Sequence, residues 1–178
     1  MPQFKPSRLN VSNPFLNWQP FPWEGRRKAL LIGISYQLHV STKYPELIGP
    51  PKDVRKIRKL LMDQYSFRDD QIVMMTDDDP TMLTTDLWPT RENIVKQIQV
   101  LVKGAKANDF FIFHYSGHCG QQEATDDLNE VDGKDEVLIG CDFLGLVDDD
   151  IHKELVSPLP RRSRLTVRSS SRSLSRRD

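Results

Sequence analysis

A histidine between two glycines is the residue whose type and position most clearly allow chemistry. His118 follows the apolar stretch "DFFIFHYSG", which ends at Gly117, and Gly120 comes two residues later. Glycine lets the backbone bend and approach a ligand closely, and the pKa of an unperturbed imidazole lies near neutrality. His118 is therefore a candidate general base on a turn beyond the end of a strand. The same position also suits a loop histidine that only makes a structural hydrogen bond.

Two other kinds of site at this stretch are less favoured. His114 lies four residues before His118, a spacing that would present both rings to one zinc ion on a helix. The apolar run is typical of a strand, however, and its glycines disfavour a helix. Cys119 adjoins His118, but neighbouring residues rarely present both side chains to one reaction centre, which argues against Cys119 as a nucleophile.

Two clusters of acidic residues flank a fourth apolar stretch, "VLIGC". The first is "ATDDLNEVDGKDE" and the second is "VDDDIH". An EF-hand loop is excluded, because counting from Asp127 puts Val131 fifth and Asp132 sixth, where the loop needs a ligand and a glycine. Two acidic loops on either side of one strand can still share Ca²⁺, or they can form a solvated acidic surface. Both interpretations stay open on spacing alone.

A third acidic group raises the alternative of a phospho-accepting receiver domain. Asp77–Asp79 follow the apolar stretch "QIVMMT". In receivers the paired acids follow the first strand, whereas the first strand here ends in "GISY". The match to a receiver is therefore poor.

Alternating apolar stretches predict the elements that must position these residues. Period-2 or continuous apolar runs indicate strands, and apolar residues three and four apart indicate amphipathic helices. Thr90 is a candidate N-cap and Gly104 a candidate helix end. This alternation predicts an α/β fold with a mostly parallel sheet, whose ligands gather beyond the carboxyl ends of the strands. The predicted strands cover 28–36, 71–79, 109–117, 135–143 and 164–167, and the predicted helices cover 53–65, 90–105 and 148–156.

Composition places few limits on partners. The 178 residues carry 25 basic and 25 acidic side chains, so net charge favours no class of ligand. Two cysteines suggest a reducing compartment, and the absence of a leader pattern or a long apolar run favours the cytoplasm over a membrane. Residues 1–26 are a Pro- and aromatic-rich extension. Residues 168–178 are rich in Ser and Arg, which predicts a disordered tail more than a nucleic-acid-binding segment.

Six motifs together resemble the metacaspases, the caspase-like cysteine endopeptidases of fungi, plants and protists. They are "KALLIGISY", "GPPKDV", "HYSGHCGQ", "DGKDEVLIGCDF", "VDDDIH" and "SRLT", in that order. The resemblance implies a caspase-hemoglobinase-like, three-layer α/β/α domain with a mostly parallel sheet over residues 27–167. It also implies a Cys-His dyad that cleaves proteins or peptides after Arg or Lys, with Ca²⁺ as a possible activator.

The resemblance also implies roles for single residues. His118 matches the dyad histidine, and the backbone N–H of Cys119 would contribute to the oxyanion hole. Asp53 and Ser116 match residues of the pocket for the basic P1 side chain. The positions that match calcium-binding aspartates are Asp135, Asp148 and Asp149.

The sequence departs from this family pattern after Thr166. The family continues through a hydrophobic pair into Asp-Ser-Cys-His-Ser-Gly, whereas this chain reads "VRSSSRSLSRRD". Counting forward from Thr166, the nucleophile position falls on Arg172 and the pocket aspartate on Ser170. We therefore expect a domain truncated before its nucleophile, with a sheet incomplete on its C-terminal side and no protease activity alone. The alternative is a non-catalytic protein that binds Ca²⁺ or an intact metacaspase.

Overall fold

The described part of the chain forms a six-stranded sheet with helices on both faces. The computed structural model describes residues 25–38, 41–123 and 134–173. The strand order is β2-β1-β3-β4-β5, and β6 also pairs with β3. The elements are β1 (Arg27–Gly33), α1 (Pro50–Tyr65), β2 (Ile72–Thr76), α2 (Arg91–Val102), β3 (Phe110–Glu123), β4 (Lys134–Ile139), β5 (Gly145–Val147), α3 (Asp148–Ile151), a π-helical turn (His152–Val156) and β6 (Arg164–Ser173), with short 3₁₀ turns at Asp69–Gln71 and Pro80–Met82.

Most of the sheet is parallel, as predicted. β1 pairs in parallel with β2 and with β3, and β6 pairs in parallel with β3. The short strands β4 and β5 are antiparallel. Helices α1 and α2 are the crossovers between the first three strands, which are buried in the way typical of parallel sheets.

The two faces of the sheet bury separate apolar clusters. On one face, Val54 and Leu61 of α1 pack with Leu31 and Ile112. On the other face, α2 packs against the sheet with a larger group of buried side chains that includes Leu30, Ile94, Ile98, Phe111 and Phe113. This is the three-layer α/β/α arrangement that the sequence predicts.

Both predicted boundaries of α2 are confirmed. The Thr90 hydroxyl accepts a hydrogen bond from the Asn93 N–H at 3.2 Å, which satisfies one of the open donors at the helix start. The helix ends at Val102, and Gly104 follows with a φ of 63°, a left-handed conformation that glycine adopts without strain.

Two strands run further than the sequence predicts. β3 continues through Gly117 and Gly120 to Glu123, so the prediction that His118 lies on a turn is wrong. β6 continues to Ser173, which corrects the predicted boundary at residue 167 and the disordered assignment of residues 168–173. Backbone pairing explains both, because β6 lies beside β3 over residues 110–119 whatever its side chains are. The predicted extension over residues 1–24 and residues 174–178 lie outside the described residues.

Within residues 25–38, 41–123 and 134–173, no helix is long and apolar enough to cross a membrane. The cytoplasmic location expected from the cysteine count stays a prediction.

Candidate active site

The candidate site lies where β3 and β6 run on beyond the end of β1. Gly33, the last residue of β1, is level with Ser116 of β3. Beyond that point β6 still pairs with β3, with Ser116 opposite Ser170 and His118 opposite Arg172. Because alternate residues of a strand share a face, these four positions belong to one face of the sheet.

The ring of His118 is completely buried and held through one nitrogen. Its exposed fraction is 0%, and its Nε2 lies 2.7 Å from the backbone oxygen of Pro45. A carbonyl oxygen can only accept a hydrogen bond, so Nε2 carries a proton, and in the neutral ring Nδ1 carries the lone pair. Among the described residues, Nδ1 has no hydrogen-bond partner. The arrangement prepares Nδ1 to accept a proton.

A short loop covers this ring. The ring of Tyr36 lies 4.7 Å from that of His118 between centroids, and the ring of Tyr44 lies 5.6 Å away. Tyr44 precedes Pro45, so one loop supplies both an aromatic wall and the carbonyl acceptor. The sequence does not identify Pro45 as part of the site, because its contribution is a backbone oxygen, which every residue type has.

The two residues predicted to bind a basic P1 side chain line the same cleft. Asp53 of α1 and Ser116 of β3 border a cavity of about 460 Å³, together with Gly49, Pro50 and Ser170. The Asp53 side chain is 45% exposed, and its carboxylate lies 3.6 Å from the ammonium of Lys56. Ser170 lies where the resemblance places a second pocket carboxylate. The exposed residue Glu46 also borders this cavity, so the cleft has two acids and a pair of hydroxyls.

Comparison with known proteins agrees with this arrangement of strands and residues. A model of the metacaspase, peptidase C14 domain matches residues 27–173. The chain belongs to the metacaspase family. The match covers the sheet, His118 and the whole of β6.

Several curated metacaspases are similar to this chain. Metacaspase-1 of Pyricularia oryzae is 45% identical over 146 residues, which are 80% of this chain and 35% of that protein. Metacaspase-1 of Eremothecium gossypii is 40% identical over 164 residues, or 89% of this chain and 34% of that protein. For metacaspase-1 of Candida albicans the identity is 43% over 158 residues, or 85% and 34%. The chain thus spans about a third of the length of the curated relatives it matches.

A solved structure supports the fold. Protein GSU0716 from Geobacter sulfurreducens superposes with a TM-score of 0.58 at 22% identity, covering 82% of this chain and 50% of that one. At this identity the likeness concerns the fold alone.

Neither cysteine of this metacaspase lies in a position to react with His118. Cys119 is buried, its Sγ is 3.9 Å from the Ser169 hydroxyl oxygen, and the alternation of strand β3 directs it to the face opposite His118. Cys141 belongs to the same core, and burial raises the pKa of its thiol to about 12. Cys119 lies inside the sheet, paired with Leu138, and its predicted oxyanion role stays a prediction.

A cation from β6 borders a second cavity next to this cleft. Arg168 is exposed, and it borders a second cavity of about 270 Å³ with Asp53, Lys56, His114 and Ser170. Asp53 thus borders both cavities, and the second one adds Arg168 beside it. A cation that enters the first cleft meets the carboxylates of Glu46 and Asp53 and, next to Asp53, the opposing charge of this arginine.

The carboxylates predicted to bind Ca²⁺ meet only in part. Asp148 and Asp149 begin α3, and the Asp149 N–H donates to the Asp148 carboxylate at 3.0 Å. The last paired residues of β4 and β5 are Val137 and Val147, so Asp148 directly follows this pair and Asp135 precedes it by two residues on β4. Within the described side chains, which do not include that of Asp135, no three possible metal ligands gather. Adjacent carboxylates are nevertheless the donors that Ca²⁺ prefers, so the residues fit the ion.

The remaining acids at the strand ends have structural partners, which argues against the receiver hypothesis. Asp77 is buried and accepts hydrogen bonds from the Ser35 N–H at 2.6 Å and from the Tyr36 N–H at 2.5 Å. Asp78 pairs with both terminal nitrogens of Arg55 at 2.7 and 2.8 Å, and these hydrogen bonds lower the pKa of its carboxyl group. Asp79 caps a 3₁₀ turn, and Asp142 accepts from the first N–H of α2.

Proposed function

We propose that this chain supplies the general base and the P1 cleft of a cysteine endopeptidase that cleaves after Arg or Lys. The observation that supports this most directly is the fixed tautomer of His118, with Nε2–H on the Pro45 carbonyl and the lone pair of Nδ1 on the face that position 172 shares. In a chain with a thiol at position 172, Nδ1 would take the thiol proton and later return it to the leaving amine.

The cleft beside His118 suits a cationic side chain. Asp53 offers a carboxylate and Ser116 a hydroxyl to a guanidinium or ammonium group. We expect the affinity to be modest, because Ser170 carries no charge, Glu46 is exposed to solvent and Asp53 already has Lys56 at 3.6 Å.

We further propose that the chain hydrolyses no peptide as its residues stand. Arg172 occupies the position opposite His118, and a guanidinium cannot form an acyl-enzyme. Loss of one member of a catalytic pair removes nearly all of the joint effect. Amide substrates with Arg or Lys at P1, assayed with Ca²⁺, should give no turnover above the His118→Ala variant. Turnover that depends on His118 in the unaltered chain would refute this part of the proposal.

The cleft can be tested without catalysis. N-acetylarginine amide titrated into the 178-residue chain should shift the NMR signals of residues around Asp53 and Ser116. Asp53→Asn should weaken this binding by roughly fivefold, the effect of losing one partly screened charge pair. Asp63→Asn is the matched control, because Asp63 is a half-exposed carboxylate of the same helix that pairs with Lys59. Equal weakening by both variants would show that the cleft is not the binding site.

A second proposal concerns Ca²⁺. Asp148 and Asp149, with Asp135 two residues before the last paired residue of β4, would hold the ion and join β4 to the start of α3. Calorimetric titration should show binding that weakens about tenfold or more in Asp148→Asn and in Asp149→Asn, because each variant removes a charged ligand. Asp150→Asn is the control, since Asp150 pairs with Arg91 at 3.0 Å. Binding that Asp150→Asn weakens as much would refute the assignment.

A further inference from the structure

Two tyrosine hydroxyls occupy the place of one rung in the sheet beside His118. The antiparallel pairing of β3 with β4 reaches Cys119 opposite Leu138, so the next rung would join His118 to Ile139. The His118 N–H donates to the Tyr36 hydroxyl at 3.0 Å, and the Ile139 N–H donates to the Tyr115 hydroxyl at 3.2 Å. Both hydroxyls therefore accept from the backbone.

The hydroxyl protons complete the arrangement. The Tyr36 hydroxyl lies 2.7 Å from the Ile139 carbonyl oxygen, and the Tyr115 hydroxyl lies 2.7 Å from the His118 carbonyl oxygen. Each hydroxyl has one proton, and these are the shortest acceptors available to each. With the protons so placed, all four polar groups of the His118 and Ile139 backbone are satisfied through the two tyrosines.

The surroundings are shaped to hold these rings in place. Tyr36 and Tyr115 are buried, and burial raises the pKa of both phenols well above the usual value, so both stay protonated. A Cβ on Gly117 would lie 2.5 Å from the Tyr115 hydroxyl and 2.9 Å from that of Tyr36. The glycine before His118 thus makes room for the hydroxyls.

Tyr36 is held in a conformation that costs free energy. Its φ is 62°, in the left-handed region that residues with a Cβ avoid. The Asp77 carboxylate accepts the N–H groups of Ser35 and Tyr36, which fixes this turn. Strain that the surrounding structure maintains is a recurring property of functional sites.

We propose that Tyr36 and Tyr115 are positioning residues that hold the His118 backbone, and with it the direction of Nδ1, through this pair of bridging hydroxyls. The role in positioning a base depends on the proposed function, whereas the bridge itself does not. Asp77 stabilises the bridge indirectly, because its carboxylate fixes the backbone of Tyr36.

Hydrogen exchange of single amides tests the bridge, because the two tyrosines serve different N–H groups. In the folded 178-residue chain, Tyr36→Phe should speed exchange of the His118 amide about tenfold or more, and Tyr115→Phe should do the same for the Ile139 amide. Tyr44→Phe is the matched control. Tyr44 also contacts the His118 ring, but the backbone groups of His118 are hydrogen-bonded by Tyr36 and Tyr115. An equal rise at every amide, or no rise at these two, would overturn the bridge.

Two further variants separate the bridge from the proposed function. 4-Aminophenylalanine at position 36 keeps a polar group in the same place and should restore protection of the His118 amide if Tyr36→Phe proves too unstable to measure. In a chain carrying Arg172→Cys, Tyr36→Phe should slow alkylation of the new thiol at pH 6.5 by roughly threefold. A misdirected Nδ1 would stabilise the thiolate less, so a smaller fraction of the thiol would be ionised. If amide exchange changes as expected while the alkylation rate does not depend on His118 in any variant, the bridge is supported and the proposed role of His118 as a base is refuted. If the thiol responds to His118 but not to Tyr36→Phe, the positioning role fails.

Discussion

The surroundings of His118 and the second half of β6 differ in burial and in the number of specific side-chain contacts. Around His118, a carbonyl, two aromatic rings and two hydroxyls all lie within bonding or packing distance, and the ring is buried. Along β6, residues 166–170 are all exposed, with Val167 at 54%. Both regions nevertheless keep the register that sets Ser116 opposite Ser170. Backbone pairing can thus hold a position in register whichever side chain it carries.

This contrast has a physical basis in what holds each region. β6 forms parallel backbone hydrogen bonds with a long central strand, and Leu165 packs against the core near its start. Those interactions do not depend on side chains at 168–173. The position of His118, in contrast, depends on specific polar atoms contributed by Tyr36, Pro45 and Tyr115. The following variants test whether the two regions really differ in this way.

The largest expected effect belongs to Gly117→Ala. The new methyl group would lie within 3 Å of both tyrosine hydroxyls, so either they move and leave buried polar groups unsatisfied or β3 shifts. We expect the free energy of unfolding to fall by about 3 kcal/mol, as for overpacking combined with lost hydrogen bonds. Urea denaturation followed by circular dichroism measures this loss.

Gly120→Ala is the matched control for that variant. It is in the same strand, and the nearest atom to its added Cβ would be Ile139 Cδ1 at 3.8 Å, an ordinary contact. We expect a change below about 1 kcal/mol. Equal destabilisation by the two variants would mean that a glycine is needed only for the strand backbone, and that the region around His118 is no more tightly built than its neighbour.

The second variant restores a thiol to β6. Arg172→Cys places a cysteine opposite His118, and an imidazole beside a thiol favours the thiolate. Alkylation by iodoacetamide at pH 6.5, followed by mass spectrometry, should be roughly tenfold faster than in the double variant Arg172→Cys/His118→Gln. Cys119 and Cys141 are buried in the same molecule and serve as internal controls. Rates that do not depend on His118 would show that the two strands no longer form one site.

The sequence predicts the layers and crossovers well because burial leaves a periodic mark. The apolar periods of α1 and α2 and the runs in β1 and β2 identify both faces of the sheet, and Thr90 and Gly104 locate the ends of α2. Two predictions about strand ends failed for one reason. The local pattern predicts a strand end at Gly117 and disorder in the Ser/Arg segment, whereas pairing with a neighbouring strand extends both strands.

The side chains of the candidate site could be predicted from the sequence, whereas the groups that hold His118 in place could not. His118, Asp53 and Ser116 are visible as motif residues. The acceptor at Pro45 is a backbone atom, and Tyr36 reaches His118 across 82 positions of sequence through a hydroxyl. Contacts of this kind come from tertiary packing, which a local pattern does not encode.

The smallest expected effect concerns His114, which lies at the border between the two regions, opposite Arg168 in register. Its ring is buried, and neither ring nitrogen has a hydrogen-bond partner among the described residues. Burial, and after it the charge of Arg168, lowers the pKa of this imidazole. The folded chain therefore binds a proton at His114 less readily than the unfolded chain does.

The sign of the pH effect follows from that difference. The stability that neutral His114 contributes is fully present above its unfolded pKa of about 6.5 and is lost as the pH falls toward the lower pKa of the folded state. Between pH 7 and 5 the unfolding free energy should decline by up to about 1.4 kcal/mol per pH unit, and His114→Phe should flatten this decline. Arg168→Leu should flatten it partly by removing the nearby charge, whereas exposed His152→Asn should not. A decline unchanged by Arg168→Leu would mean that this β6 side chain does not influence the ionisation of His114 on β3. The two regions would then be coupled through their backbones alone.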